Sequence, residues 1–440
     1  MMDLKDLVLT PLFLLFLVVV LQAWRNSIRQ PLYRKQFLPA VRLRLLGAVA
    51  LGLIYQFYYG GGDTFVFFRD SYHIWDALFD SPFKWLGLIT VPANTYDPNL
   101  YDYTRRIYHF VDPPTYHVIR VSGFLSAFSF HTYSINALCF GLMGFSGSWA
   151  LYKAFMTMYP HLPRLMAISA LFVPSVVFWG SGLMKDTITF AATGWLFYGF
   201  YFGVVLRRQI LFNIGLILLS ILIIQAIKIY ILIAFMPGAI FWIFLQYRAR
   251  IRNYALRAVL LPFVIVISVP LSLAVVDRLT ANNSRYQLDN IAATAKESAE
   301  WLEYVASSQG GSVYTLGPMD GTLSGTVRLL PQAIIIAFFR PFLWEVRNPL
   351  MLLSALESAL VSWLFLQILF SGKLSRLPSL MLQQPFLILC LGFSIVLGFA
   401  TATGSSNFGT LVRYKIPFMP FLAAYLYIVR YELTSRTKLY

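Results

Sequence analysis

Long apolar runs alternate with short basic connections along nearly the whole chain. Each run of about 17 to 25 residues can cross the hydrocarbon core of a bilayer as a helix. The pattern predicts helices over 7–24, 43–59, 132–153, 163–179, 185–206, 209–226, 229–246, 256–276, 349–370, 384–402 and 415–430, about eleven spans. The runs are continuous and do not alternate residue by residue, which disfavours a β-barrel. The fold class expected is therefore all-α, a polytopic integral membrane protein with residues 1–440 forming a single transmembrane domain.

Two longer segments interrupt this rhythm, 60–131 and 277–348. The first begins "YYGGGDTFVFFRDSYHIWDALFD", residues 58–80. Three glycines permit a sharp turn, and a helical pattern follows Asp63. Phe67, Phe68, Ile74, Trp75, Leu78 and Phe79 gather on one face, with Arg69, Asp70, His73, Asp76 and Asp80 largely on the other. That is an amphipathic helix suited to the membrane interface. The short apolar stretch 119–130 is expected to be interfacial as well. In the second segment, the piece from Ala293 to Gly317 reads as a short helix and then a Gly/Ser turn region. Residues 329–349 follow, too short in their apolar part to span, and are expected to be interfacial or re-entrant.

Composition supports this class. Charged residues make up 12% of the chain and hydrophobic ones 58%, against about 25% charged in average soluble proteins. The net charge of +16 would suggest nucleic acid in a soluble protein. Here the basic residues sit in short connections, the signature of cytoplasmic loops. The connections 25–42, 154–162, 207–208, 247–255, 371–383 and the tail from 431 hold or border most of them, with Arg25, Arg34, Lys35, Arg42 and Arg44 after the first run. This orientation puts the N-terminus outside, the C-terminus inside and both long segments outside. Of the acids, only Glu432 then faces the cytoplasm, and Glu357 lies within a span. The two cysteines, Cys139 and Cys390, fall in apolar runs and indicate no redox compartment. The N-terminus lacks a small-residue cleavage site, so the first run is read as a retained helix.

Several outer charges are candidates for chemistry. Lys185 stands at the N-terminal end of a span, where the helix dipole favours anions and gives a lysine no support. Pairing with the adjacent Asp186 would neutralise it. Lys228 lies in an outer turn, and snorkelling to the interface is the bland account. Arg340 and Arg347 flank Trp344 and Glu345. Arg413 and Lys415 stand at the outer start of the last span, beside Asn407, which could bind a hydroxyl or cap the turn. Glu357 is an ionisable group within a span, where such groups are expensive, and pairing with Arg347 would satisfy it. Asp63 could simply cap its helix. Asp70, His73 and Asp76 have a spacing that admits a divalent metal, though one solvated helix face explains them too.

An Asp after a span and just before an interfacial helix resembles the membrane glycosyltransferases of the GT-C fold. "FWGSGLMKDTI", "FFRPFLWEVRNP" and "NFGTLVRYKIPFMPF" look like stretches of bacterial polysaccharide-assembly membrane proteins. The resemblance implies a sugar donor linked to polyprenyl phosphate or pyrophosphate, a glycan or lipid acceptor, and a place in the bacterial cytoplasmic membrane. It implies that Asp63 acts as base toward the acceptor. "GGGDT" is followed by Phe65 and Val66, so the paired acids of a metal site are missing there. The chemistry itself needs a base for the acceptor hydroxyl and cations for the leaving phosphate, which Lys185, Lys228, Arg340, Arg347, Arg413 and Lys415 could supply. Should Asp63 only cap, Asp70, Asp186 or Glu345 would have to be the base. Alternatives are a polysaccharide polymerase or ligase, and a transporter or flippase for a lipid-linked glycan. The latter would need mid-depth charges and symmetry-related broken helices, and no internal repeat is visible. The five histidines all fall in loops or at span ends, which gives a membrane O-acyltransferase little support.

Overall fold

The computed structural model describes residues 3–248, 270, 274, 290–308 and 311–435. Among these residues it is helical without strands, apart from one antiparallel bridge between Val313 and Asn407. Among the described residues, seven helices are long and apolar enough to cross a membrane: 4–27, 31–58, 185–205, 210–228, 230–247, 349–369 and 385–403. The expected span 256–276 lies outside the described residues apart from 270 and 274.

The chain divides into two compact units. The first comprises Met1–Phe172 with Val176–Lys228, the second Val173–Ser175 with Ile229–Tyr440.

In the first unit, α1 (Leu4–Ser27) has an Asp3 cap that accepts the Lys5 amide at 2.9 Å. Most of its apolar side chains are exposed, as a lipid-facing helix requires. Helix α2 (Pro31–Leu53) ends in a π-turn, Ile54–Tyr58. It begins twelve residues before the predicted span, at a proline suited to a helix start. Arg34, Lys35 and Arg42 therefore ride on a helix, where long basic chains are good helix formers, and do not form a loop. Next come α3 (Asp63–Asp80), α4 (Pro82–Thr90), α5 (Tyr101–Thr104), α6 (Pro113–Ser129) and α7 (Tyr133–Met158). The stretch 119–130 lies mostly within the longer helix α6, which packs on α3.

The predicted span 163–179 is divided. Helix α8 (Pro163–Leu171) stops and α9 (Pro174–Trp179) starts afresh. The cause is Pro174, which turns the preceding residue away from helical geometry. Then follow α10 (Lys185–Gly199), continued by a π-turn Phe200–Val205, and α11 (Ile210–Lys228).

Helix α7 is the axis of this unit and packs against α2, α8 and α10. Glycines make the close approaches. A Cβ on Gly147 would lie 2.5 Å from Ala191 Cα, and one on Gly194 would lie 2.3 Å from the Gly147 carbonyl oxygen. Small residues at helix crossings are how membrane helices gain contact when lipid is as apolar as leucine.

In the second unit, α12 (Tyr230–Tyr247) is followed, after the undescribed stretch, by α13 (Ile291–Ser308), α14 (Leu323–Arg328), α15 (Leu330–Phe339), α16 (Pro349–Leu369), α17 (Leu377–Gln383), α18 (Pro385–Thr403), α19 (Phe408–Lys415) and α20 (Met419–Ser435). Helix α18 is central and packs on α12, α15 and α20. The polar helix and the short apolar helix expected in 277–348 are α13 and α15. The helix expected from 415 starts later, at Met419, because Pro417 separates α19 from α20, and α20 is not among the seven candidate spans.

Candidate functional site

Two polar clusters carry most of the predicted residues, one in each unit. In the first unit, Lys185 opens α10 after an extended Met184. Its ammonium does not pair with Asp186. It reaches Asp112 at 3.3 Å. Asp112 precedes two prolines at the start of α6, and its carboxylate makes no backbone cap there. It instead receives the Thr115 hydroxyl and Lys185. Partial burial pushes the Asp112 carboxyl up, but Lys185 and Thr115 outweigh that and hold it below the usual range.

Neighbouring groups extend this cluster. Lys185 Nζ lies 6.0 Å from the Phe67 ring, and that ring meets His109 edge-on at 5.8 Å. Asp70 is not on a solvated face. It is buried and accepts the His109 amide at 3.1 Å, with the ring Nδ1 at 3.0 Å. Asp70, His73 and Asp76 do not assemble a metal site, and no group of three His, Cys, Asp or Glu could hold a metal among the described residues. Burial and the Arg106 charge lower the His73 pKa.

Asp63 is the first helical residue of α3, and the N-cap position belongs to Gly62. The cap reading therefore fails in its simple form. Gly60, Gly61 and Gly62 have φ of 68°, 144° and 124°, and a Cβ on Gly62 would stand 2.8 Å from the Tyr55 ring. This turn needs glycine for both reasons. Asp63 is exposed. It lies four residues before Phe67, on the same helix face, which brings it within about one turn of the Lys185 contact.

Asp186 pairs with Lys228 in a buried bridge between α10 and α11. Snorkelling does not describe Lys228, whose side chain is 7% exposed. Sequence reading also missed the role of Arg44, counted only among the basic residues that follow the first run. It is buried in α2 and donates to the Val176 and Gly180 carbonyls, the latter at 2.9 Å, and to the Ser148 hydroxyl. The Val176 carbonyl also accepts the Gly180 amide at 3.0 Å, so Arg44 adds a second donor there.

In the second unit, Arg340 follows α15 and forms a two-toothed pair with Glu345, its Nε lying 3.0 and 3.1 Å from the two carboxylate oxygens. The Phe342 amide donates to the same carboxylate at 2.8 Å. Burial raises the Glu345 carboxyl, yet the bonds from Arg340 and Phe342 bring it below its ordinary value. The Arg340 carbonyl accepts from Lys415 at 3.1 Å and from Ser358 at 3.0 Å. Its guanidinium lies 5.0 Å from the Phe408 ring. Glu357 is buried and does not bond Arg347. It accepts the Ser175 amide at 2.8 Å and hydroxyl at 2.7 Å, and it feels the Lys415 charge.

Arg340, Glu345, Glu357 and Lys415 thus form one connected group. Arg347 is exposed, and Arg413 is half-buried on α19. Asn407 caps α19 by accepting the Gly409 amide at 2.7 Å.

Of the residues missed, Asp112 carried a signal, an acid directly before "PPT" at a helix start. His109 and Ser175 carried none. Comparison with known family models, with curated proteins and with solved structures returns no match.

Proposed function

We propose that the chain is a membrane glycosyltransferase that moves a sugar from a polyprenyl-(pyro)phosphate donor to a glycan or lipid acceptor at the extracytoplasmic face. What supports the reading is the placement of Asp63 one helical turn before Phe67, whose ring lies 6.0 Å from Lys185 Nζ. A carboxylate and a cation gathered around one helix start match the needs of the reaction. Asp63 would take the proton of the acceptor hydroxyl as that oxygen bonds to the anomeric carbon. The bond from that carbon to the donor phosphate breaks, and Lys185 stabilises the charge left on the phosphate. The substitute bases fit less well. Asp70 and Asp186 are buried, and Glu345 is held by Arg340.

Buried charge favours keeping a second reading, transport of a lipid-linked glycan. Asp186, Lys228 and Glu357 lie in span helices, and ionisable groups there often mark transport paths. One experiment separates the two. Proteoliposomes receive a labelled lipid-linked donor and an acceptor, with wild-type protein or Asp63→Asn. The variant is expected to insert normally and to lose transfer by at least about a hundredfold, the scale of a lost base. Near-normal transfer by Asp63→Asn would remove Asp63 as the base. Movement of the donor across the bilayer without any transfer would replace the enzyme reading with the transporter.

A further inference from the structure

We propose that the cavity between the first turn of α1, the Gly60–Gly62 turn and α3 binds the phosphate of a membrane-lipid headgroup through Lys5 and Arg69. This site is separate from the Lys185 and Arg340 clusters and does not depend on the transfer reaction.

The cavity has a volume of about 500 Å³ and is lined by Lys5, Asp6, Gly61, Arg69, Tyr72 and His131 among others. Its two carboxylates both have structural partners, Asp6 as a buried group and Asp3 as an exposed one. Asp3 caps α1, accepting the amides of Lys5 and Asp6. Asp6 is buried and accepts the Asp3 amide at 2.8 Å, the Ser134 amide at 2.7 Å and the Ser134 hydroxyl. Donors thus surround the Asp6 charge. Lys5 and Arg69 are both exposed, and neither makes an ion pair among the described residues. Two cations at the mouth of a concave site are a receptor for an anion.

The wall behind them is aromatic and uncharged. His131 stacks on Phe68 at 4.0 Å and on Trp75 at 5.5 Å, with Nε2 3.1 Å from the Phe68 carbonyl oxygen. Burial pushes its pKa down to about 4, so the ring is neutral at pH 7. Lys5 Nζ lies 5.8 Å from the Trp75 ring. The surroundings select a lipid over a soluble anion. Leu4, Leu7, Val8 and Leu12 are exposed on α1 beside Lys5, and this helix can cross a membrane. Tyr58, Tyr59 and Tyr72 are exposed nearby in sequence, the residue type that settles at the headgroup level. A headgroup in the cavity could lay its acyl chains along α1, an addition that a free phosphate lacks.

The test uses the purified full chain in non-ionic detergent and a fluorescent phosphatidic acid as probe. Lys5→Gln/Arg69→Gln is expected to weaken binding by at least about tenfold, the combined effect of two cations near a lipid phosphate. Lys84→Gln/Arg105→Gln removes the same charge elsewhere in the same unit and is expected to leave binding unchanged. Glycerol 3-phosphate at equal concentration is expected not to displace the probe. Equal weakening by both double variants would reduce the effect to diffuse surface charge and overturn the site. Displacement by glycerol 3-phosphate would overturn the lipid assignment, and absence of wild-type binding would overturn both. Should the Lys5/Arg69 variant not be monodisperse, Arg69→Gln alone is measured and must weaken binding for the site to stand.

Discussion

Asp186 and Lys228 are 42 residues apart, yet they form the most buried ion pair of the first unit. Sequence order suggested Lys185 and Asp186 instead. Neighbours on a helix project about 100° apart and do not face each other, whereas residues on adjacent antiparallel helices can. The presence of charges near these spans was therefore legible, and their partners were not, because partners depend on which helices pack together. Arg44 illustrates the same limit, since its targets on α9 exist only through tertiary folding. For the Asp186–Lys228 pair the expected outcome is specific. Asp186→Asn leaves Lys228 buried without its counter-ion and is expected to cost about 3–5 kcal/mol. Asp186→Leu/Lys228→Met removes both charges and is expected to be markedly less harmful than Asp186→Asn. Thermal unfolding in detergent, followed by size-exclusion recovery, measures this. A double variant as unstable as the single would show that the acid stabilises the fold by something other than pairing.

At the level of elements, hydrophobic run length located six of the seven candidate spans among the described residues within a few residues, since only an apolar helix satisfies its backbone in lipid. The expected spans 132–153 and 415–430 fall on helices that are not among those candidates. Ends were read less well. Charge in 31–42 disguised the start of α2, and Pro174 divided a run that looked continuous. Packing between α7 and α10 left a trace in "GLMGFSG", but only the structure shows which glycines touch a neighbour. Gly147 and Gly194 meet the opposite backbone directly, whereas Gly215 on α11 faces open space. Gly147→Leu must force the two helices apart, and overpacking of this kind typically costs about 1–3 kcal/mol or more. Gly215→Leu should be tolerated and serves as its control. Expression and melting of the two variants decide the matter. Equal tolerance at 147 and 215 would mean that the α7–α10 contact contributes little to stability.

For the molecule as a whole, sidedness was inferred by counting spans and basic loops, and the broken run 163–179 weakens the counting. Helix α8 has nine residues and rises about 14 Å, less than half of a hydrocarbon core about 30 Å thick. A firmer argument comes from contacts in the first unit. Lys185 and Arg208 stand at or just beyond opposite ends of the 21-residue helix 185–205, which is long enough to cross. Asp112 pairs with Lys185, so the first long segment reaches the Lys185 end. The pair Asp186–Lys228 brings the end of α11 to the same level. Arg207 and Arg208 are both exposed at the other end, where the positive-inside rule sets the cytoplasm. The expectation is that the Lys185 end, the first long segment and Asp63 all face outward. Single cysteines at Tyr96, Lys185 and Arg208, with Cys139 and Cys390 replaced by alanine, test it in whole cells with an impermeant thiol reagent. Tyr96→Cys and Lys185→Cys should label in intact cells, the second more slowly because that side chain is 26% exposed. Arg208→Cys should label only after permeabilisation. Labelling of Arg208→Cys in intact cells, with Tyr96→Cys protected, would invert the protein and place Asp63 and Lys185 in the cytoplasm, where an extracytoplasmic transferase could not use them.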